Sequence, residues 1–142
     1  MDTFFSWLYG NLYSIYGSDS YWIFRGLDPN TGSPIDGASN LFIPIGAATI
    51  GLAIVGMALY FFIINSSALA RWWKLLIYTV VLAVMAYAIG FFGVKNTGDQ
   101  NIHLFAFANV IVFIEVFALF TIVFKRFSTN CKHTPWKSIW PK

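Results

Sequence analysis

Apolar residues in this chain run in three long blocks, Leu41 to Ile64, Leu75 to Val94 and Ile102 to Phe124, and the only formal charge within them is Glu115. The blocks are 24, 20 and 23 residues long. At about 1.5 Å of rise per residue they reach roughly 30 to 36 Å, which matches a hydrocarbon core of about 30 Å. A backbone crossing lipid must satisfy its own N–H and C=O groups, and a helix does this within one segment. The pattern therefore predicts an all-α integral membrane protein with three transmembrane helices over 41–64, 75–94 and 102–124. Pro44 falls in the first turn of the first helix, where its missing N–H costs little.

Ahead of these blocks, Phe4, Phe5, Leu8, Leu12, Ile15 and Tyr16 share one face in helical projection, while Thr3, Ser6, Asn11, Ser14 and Ser18 gather opposite. That pattern predicts an amphipathic helix lying in the membrane interface, with Trp7, Tyr9 and Tyr13 at headgroup depth. The stretch is too short to cross. It also has no basic residue ahead of it and no small-residue cleavage site, so it is expected to be retained rather than removed as a signal peptide.

From Gly26 to Asn40 the chain turns to Gly, Pro, Asp, Asn and Ser, the composition of turns. Asp28, Asn30 and Asp36 have something of the alternation of calcium ligands. The later glutamate is missing and Pro29 and Pro34 interrupt the run, so a solvated turn is expected and no metal site. The chain divides into a non-cytoplasmic segment 1–40, a membrane domain 41–124 and a tail 125–142.

Composition changes this picture only by excluding a soluble domain: 58% hydrophobic, 20% aromatic and 11% charged residues leave too few polar side chains to cover a water-facing surface. Charge adds an orientation. Arg71 and Lys74 between the first two spans, with Lys125, Arg126, Lys132, Lys137 and Lys142 in the tail, make seven of the nine basic residues. The segments on the other side hold Arg25 and Lys95 against Asp2, Asp19, Asp28, Asp36 and Asp99. The positive-inside rule then puts the N-terminus outside and the tail in the cytoplasm. A bacterial inner membrane is the expected location, with an organelle membrane left open.

Candidate chemistry is sparse. Glu115 lies near the middle of the third span, where a carboxylate needs a partner, a proton or water. Ala108 and Ala118 beside it favour close helix contact, so it is expected to face protein, with Tyr78, Thr79, Tyr87 or another subunit as donor. Ala47, Gly51 and Ala58 in the first span, and Ala83, Ala86, Gly90 and Gly93 in the second, form stripes of small residues expected to pack helices together.

His103 and His133 fall on opposite sides of the membrane, which excludes bis-histidine haem ligation within one chain. Cys131 is alone, so no internal disulfide forms. There is no phosphate loop, no paired carboxylates and no nucleophile beside a base, so an enzyme is not expected. The tail combines Lys125, Arg126, Lys132 and Lys137 with Trp136 and Trp140, which suits anionic lipid headgroups or partner docking and not nucleic acid.

Three functional expectations follow, and no cofactor is required by the first two beyond lipid. The leading one is a non-catalytic structural or accessory subunit of a larger membrane complex for secretion, transport or energy transduction, held to other membrane subunits. The second is an oligomer of copies of itself, forming a small channel with Glu115 near its path. The third is a redox or pigment-protein subunit in which His103 or Glu115 contacts a quinone, haem or pigment. Truncation after Phe127 should weaken membrane or partner attachment while leaving three inserted spans, as read by complex recovery and protease mapping.

Overall fold

A computed structural model describes residues 2–61 and 72–127 and is all-helical apart from an isolated bridge between Leu27 and Pro34. Three short helices come first: α1 (Asp2–Gly10), α2 (Tyr13–Tyr16) and α3 (Ser18–Phe24). Three long ones follow: α4 (Phe42–Leu59), α5 (Trp72–Val94) and α6 (Ile102–Phe127). All three long helices are long and apolar enough to cross a membrane. The protein is therefore a multi-pass α-helical integral membrane protein.

The starts and stops follow from local chemistry. Asn40 Oδ1 accepts the Phe42 N–H at 3.0 Å, and the Leu41 N–H donates to the Phe24 carbonyl at 2.8 Å, so the chain enters α4 already tied to α3. Between α5 and α6 a single 3₁₀ turn over Lys95–Thr97 ends at Gly98, whose φ of 72° is open to glycine at little cost. Asp99 Oδ1 then accepts the Asn101 N–H at 2.6 Å and the Ser20 hydroxyl at 3.0 Å, binding this turn to α3. The Gly/Pro segment is a small hairpin-like loop. Asp28 Oδ1 accepts the Asn30 N–H at 2.7 Å, a local Asx turn, and residues 30–39 are exposed.

The N-terminal segment differs from a single interfacial helix. It breaks at Asn11 and Leu12, and folds inward against α4 and α6 instead of lying flat. Phe5, Tyr9, Tyr16 and Phe24 are buried, while Phe4, Trp7 and Tyr13 stay half exposed or more. Tyr9, expected at headgroup depth, is wholly buried, with its ring stacked on Phe42 at 5.0 Å between centroids. The Phe24 and Phe105 rings meet at 4.7 Å, and Tyr16 stands edge-on to Phe105 at 5.4 Å. These aromatic rings form one core at this end of the bundle. A second core, built on Ala53, Met57, Tyr60, Leu82, Ala86, Phe113 and Phe117, fills the other half.

Lipid offers apolar side chains no hydrophobic drive to leave it, so the bundle depends on close packing. A Cβ at Gly46 would lie 2.3 Å from the Phe5 ring, so this glycine is the seat of α1. At Gly90 it would lie 3.0 Å from both Ala106 Cα and Asn109 Cβ, setting the α5–α6 separation. Gly93 holds Ile45 in the same way. Ala86 and Gly90 are buried between helices, and Ala83 packs against the second core. On α4 the inward residues are Gly46, Thr49, Ala53 and Gly56. Ala47 faces outward, and Gly51 and Ala58 are partly covered.

Gly90→Val should cost about 1 to 3 kcal/mol, because backbone rather than a flexible side-chain tip stands in its way. Gly51→Ala, with nothing within 4 Å of its added carbon, should stay within about 0.5 kcal/mol. Reversible unfolding in mixed micelles measures both.

Candidate functional site

Two polar features stand out in the apolar bundle, one turned inward and one outward. The inward one centres on Asn109, in the second turn of α6 and fully buried. Its amide donates to the Ala86 carbonyl of α5 at 2.7 Å. Its carbonyl accepts the Tyr9 hydroxyl of α1 at 2.5 Å and the Thr49 hydroxyl of α4 at 3.0 Å. The Thr49 hydroxyl is shared with the Ile45 carbonyl at 2.8 Å, and the Tyr16 hydroxyl donates to the Tyr9 carbonyl at 2.7 Å. One side chain thus joins four helices.

Burial pushes the Tyr9 and Tyr16 hydroxyls above the usual tyrosine range, so Tyr9 keeps the proton it donates. The folded state holds these protons more tightly than the unfolded chain does. Their contribution to stability is complete below the ordinary tyrosine value of about 10 and is lost as the pH rises above it.

The outward feature is Glu115. It lies about 4 Å along the axis from the centre of the apolar part of α6. Along this helix Phe105, Ala108, Asn109, Val112, Phe113, Phe117 and Thr121 point into the bundle. Glu115 falls on the other side and is exposed. With Phe107, Ile111, Leu119 and Val123 it forms a ridge of outward residues spaced by four.

The donors expected to meet Glu115 are all engaged elsewhere. The Tyr78 hydroxyl donates to the Gly56 carbonyl at 2.8 Å, Thr79 to the Leu75 carbonyl at 2.8 Å, and the Tyr87 hydroxyl pairs with His103 Nδ1 at 2.8 Å. Ala108 is buried in the aromatic core that the N-terminal helices build at one end of the bundle, whereas Glu115, two turns further along α6, lies beyond that cover and is exposed.

His103 is exposed at the start of α6, with the Phe91 ring 5.1 Å from its own. Among the described residues no three His, Cys, Asp or Glu side chains gather as a metal site. Lys125 and Arg126 lie in the last turn of α6. Lys132, Trp136, Lys137 and Trp140, with Cys131 and His133, lie outside the described residues.

Reading the spans as apolar blocks missed Asn109 and Thr49, although the signal was present. Each is a polar residue seven positions into its helix, so the two lie at equal depth on parallel helices.

Comparison with protein-family models, with curated proteins and with solved structures gives no match.

Asn109→Leu leaves the Tyr9 hydroxyl without its acceptor in an apolar setting and should cost about 1 to 3 kcal/mol. Tyr9→Phe should cost about 1 kcal/mol, and the pair less than the sum of the two, because they share one bond. A double-mutant cycle on unfolding free energy in micelles reads the coupling.

Proposed function

We propose that this chain is a non-catalytic structural or accessory subunit of a larger membrane-embedded complex, of the kind that serves secretion, transport or energy transduction. The observation that carries this reading is the Glu115 carboxyl on the outward face of α6. An ionisable side chain near mid-membrane costs about 2.5 to 3.5 kcal/mol on insertion scales, and such residues face protein or a water-filled cavity. The inward polar groups Asn109, Thr49, Tyr78 and Thr121 are satisfied within the chain. Among the described residues Glu115 has no such partner. Among the described residues the polar groups are satisfied inside the bundle and one is left over outside it, which supports the reading of a subunit.

In this reading the α1–α3 end faces the non-cytoplasmic side. The basic loop and tail, with Lys125, Arg126, Lys132, Trp136, Lys137 and Trp140, face anionic lipids and partners in the cytoplasm, as the charge asymmetry supports. The second reading, a small channel built from copies of this chain, rests on the same carboxyl, because rotational symmetry would gather one Glu115 per copy around an axis.

Native mass spectrometry of the protein drawn gently from its own membrane separates the two. Unrelated subunits in fixed ratio are expected. Rings of this chain alone would replace the subunit reading with the channel, and a lone monomer would overturn both.

A further inference from the structure

The subunit reading leaves the partner's chemistry open, and the surroundings of Glu115 narrow it. The ridge of Phe107, Ile111, Glu115, Leu119 and Val123 runs along most of α6 with no other helix of the described chain over it. Ridges of this spacing are the surfaces that interdigitate when two helices cross. Ile111 and Leu119, one turn to either side of Glu115 on this ridge, are branched aliphatic residues and offer it no hydrogen-bond donor.

A second copy of this chain is a poor match at that depth. Asn109, Thr49 and Ala86 are level with one another, since one amide touches both of the others' helices. Six residues further along, about 9 Å deeper, α6 has Glu115, α4 has Val55 and α5 has Val80. Both valines are exposed, at 58% and 54%. Around this depth a parallel copy would therefore offer Glu115 aliphatic side chains or another glutamate, while the Tyr78 and Thr79 hydroxyls nearby already donate to the Gly56 and Leu75 carbonyls. The basic residues of the described spans and of the turn that joins α5 to α6, Lys74, Lys95, Lys125 and Arg126, lie at or beyond the helix ends.

We infer that a transmembrane helix of a different chain crosses α6 along this ridge and presents a lysine or arginine side chain to Glu115 at mid-membrane. This inference rests on the subunit reading. A cation satisfies what a neutral donor does not. It cancels the carboxylate's charge in a medium that screens poorly, and it supplies several N–H donors to an acceptor with two oxygens. Each charge makes the other's insertion tolerable, so the pair also selects the partner: a helix without the cation would leave the carboxylate bare.

A photo-crosslinking amino acid placed at Ile111 or Leu119, with Val80 as the control site, tests this in the native membrane. The expected result is an adduct from both ridge positions to one foreign span that carries Lys or Arg within a turn of the attachment point. Glu115→Gln, nearly the same shape, should lower adduct yield by about tenfold or more. Glu115→Lys, paired with a Glu in place of the partner's basic residue, should restore it. Undiminished adducts from Glu115→Gln would overturn the cationic partner while leaving the subunit reading intact. Adducts to lipid or to other copies alone, from a protein that still co-purifies with foreign subunits, would overturn the docking face in the same way. If no foreign subunit accompanies the wild-type protein, the subunit reading itself fails.

Discussion

Within a hydrocarbon slab water cannot repair an unmet hydrogen bond, and the amide of Asn109 is where this chain meets that constraint most directly. A lone asparagine in an apolar helix is a liability unless its donors and acceptors find protein. Here the amide reaches α5, and the carbonyl gathers hydroxyls from α1 and α4. The rest of the arrangement depends on that gathering. Gly90 must be glycine for α5 to come within reach of Asn109, and Gly46 must be glycine for Phe5 to seat and lower Tyr9 to the carbonyl. The small residues and the polar node are two parts of one device, since close approach supplies the geometry and the hydrogen bonds fix the register.

Aromatic mass completes what the polar node begins. Tyr9, Tyr16, Phe24, Phe42 and Phe105 lie in mutual ring contact above Asn109, drawn from five different helices. Their burial explains how three short helices, none able to persist alone at such lengths, hold a fixed position. The Ser20, Asp99 and Asn101 contacts close the same end from the polar side, so the capping segment is held by rings below and by hydrogen bonds at its rim.

The three spans were legible because hydrophobicity over about twenty residues has one common solution in lipid. One start was legible too: Pro44 falls in the first turn of α4, where its missing N–H costs little. The rotation of each helix was not. A span apolar all round carries little periodic signal, so the inward face of α4 lies one position away from the small-residue stripe through Ala47 and Gly51. Glu115 illustrates the same gap. Its depth could be counted, but its direction depended on where the other two helices packed. The N-terminal segment kept part of the apolar face read from its periodicity, but Phe4 turns outward, Ser6 and Tyr9 are buried, and the break at Asn11 and Leu12 bends the face around the end of the bundle.

The bond between Tyr9 and Asn109 spans 100 positions of sequence. Its two halves are made far apart in time, Tyr9 before Asn109. Gly46 and Phe42 of α4 offer Phe5 and Tyr9 a first resting place, but the Phe105 ring that Tyr16 and Phe24 meet, and the amide that receives the Tyr9 hydroxyl, come only with α6. The aromatic segment can therefore complete its packing only once α6 is in place, and it closes over the bundle as a latch whose catch is made a hundred residues later.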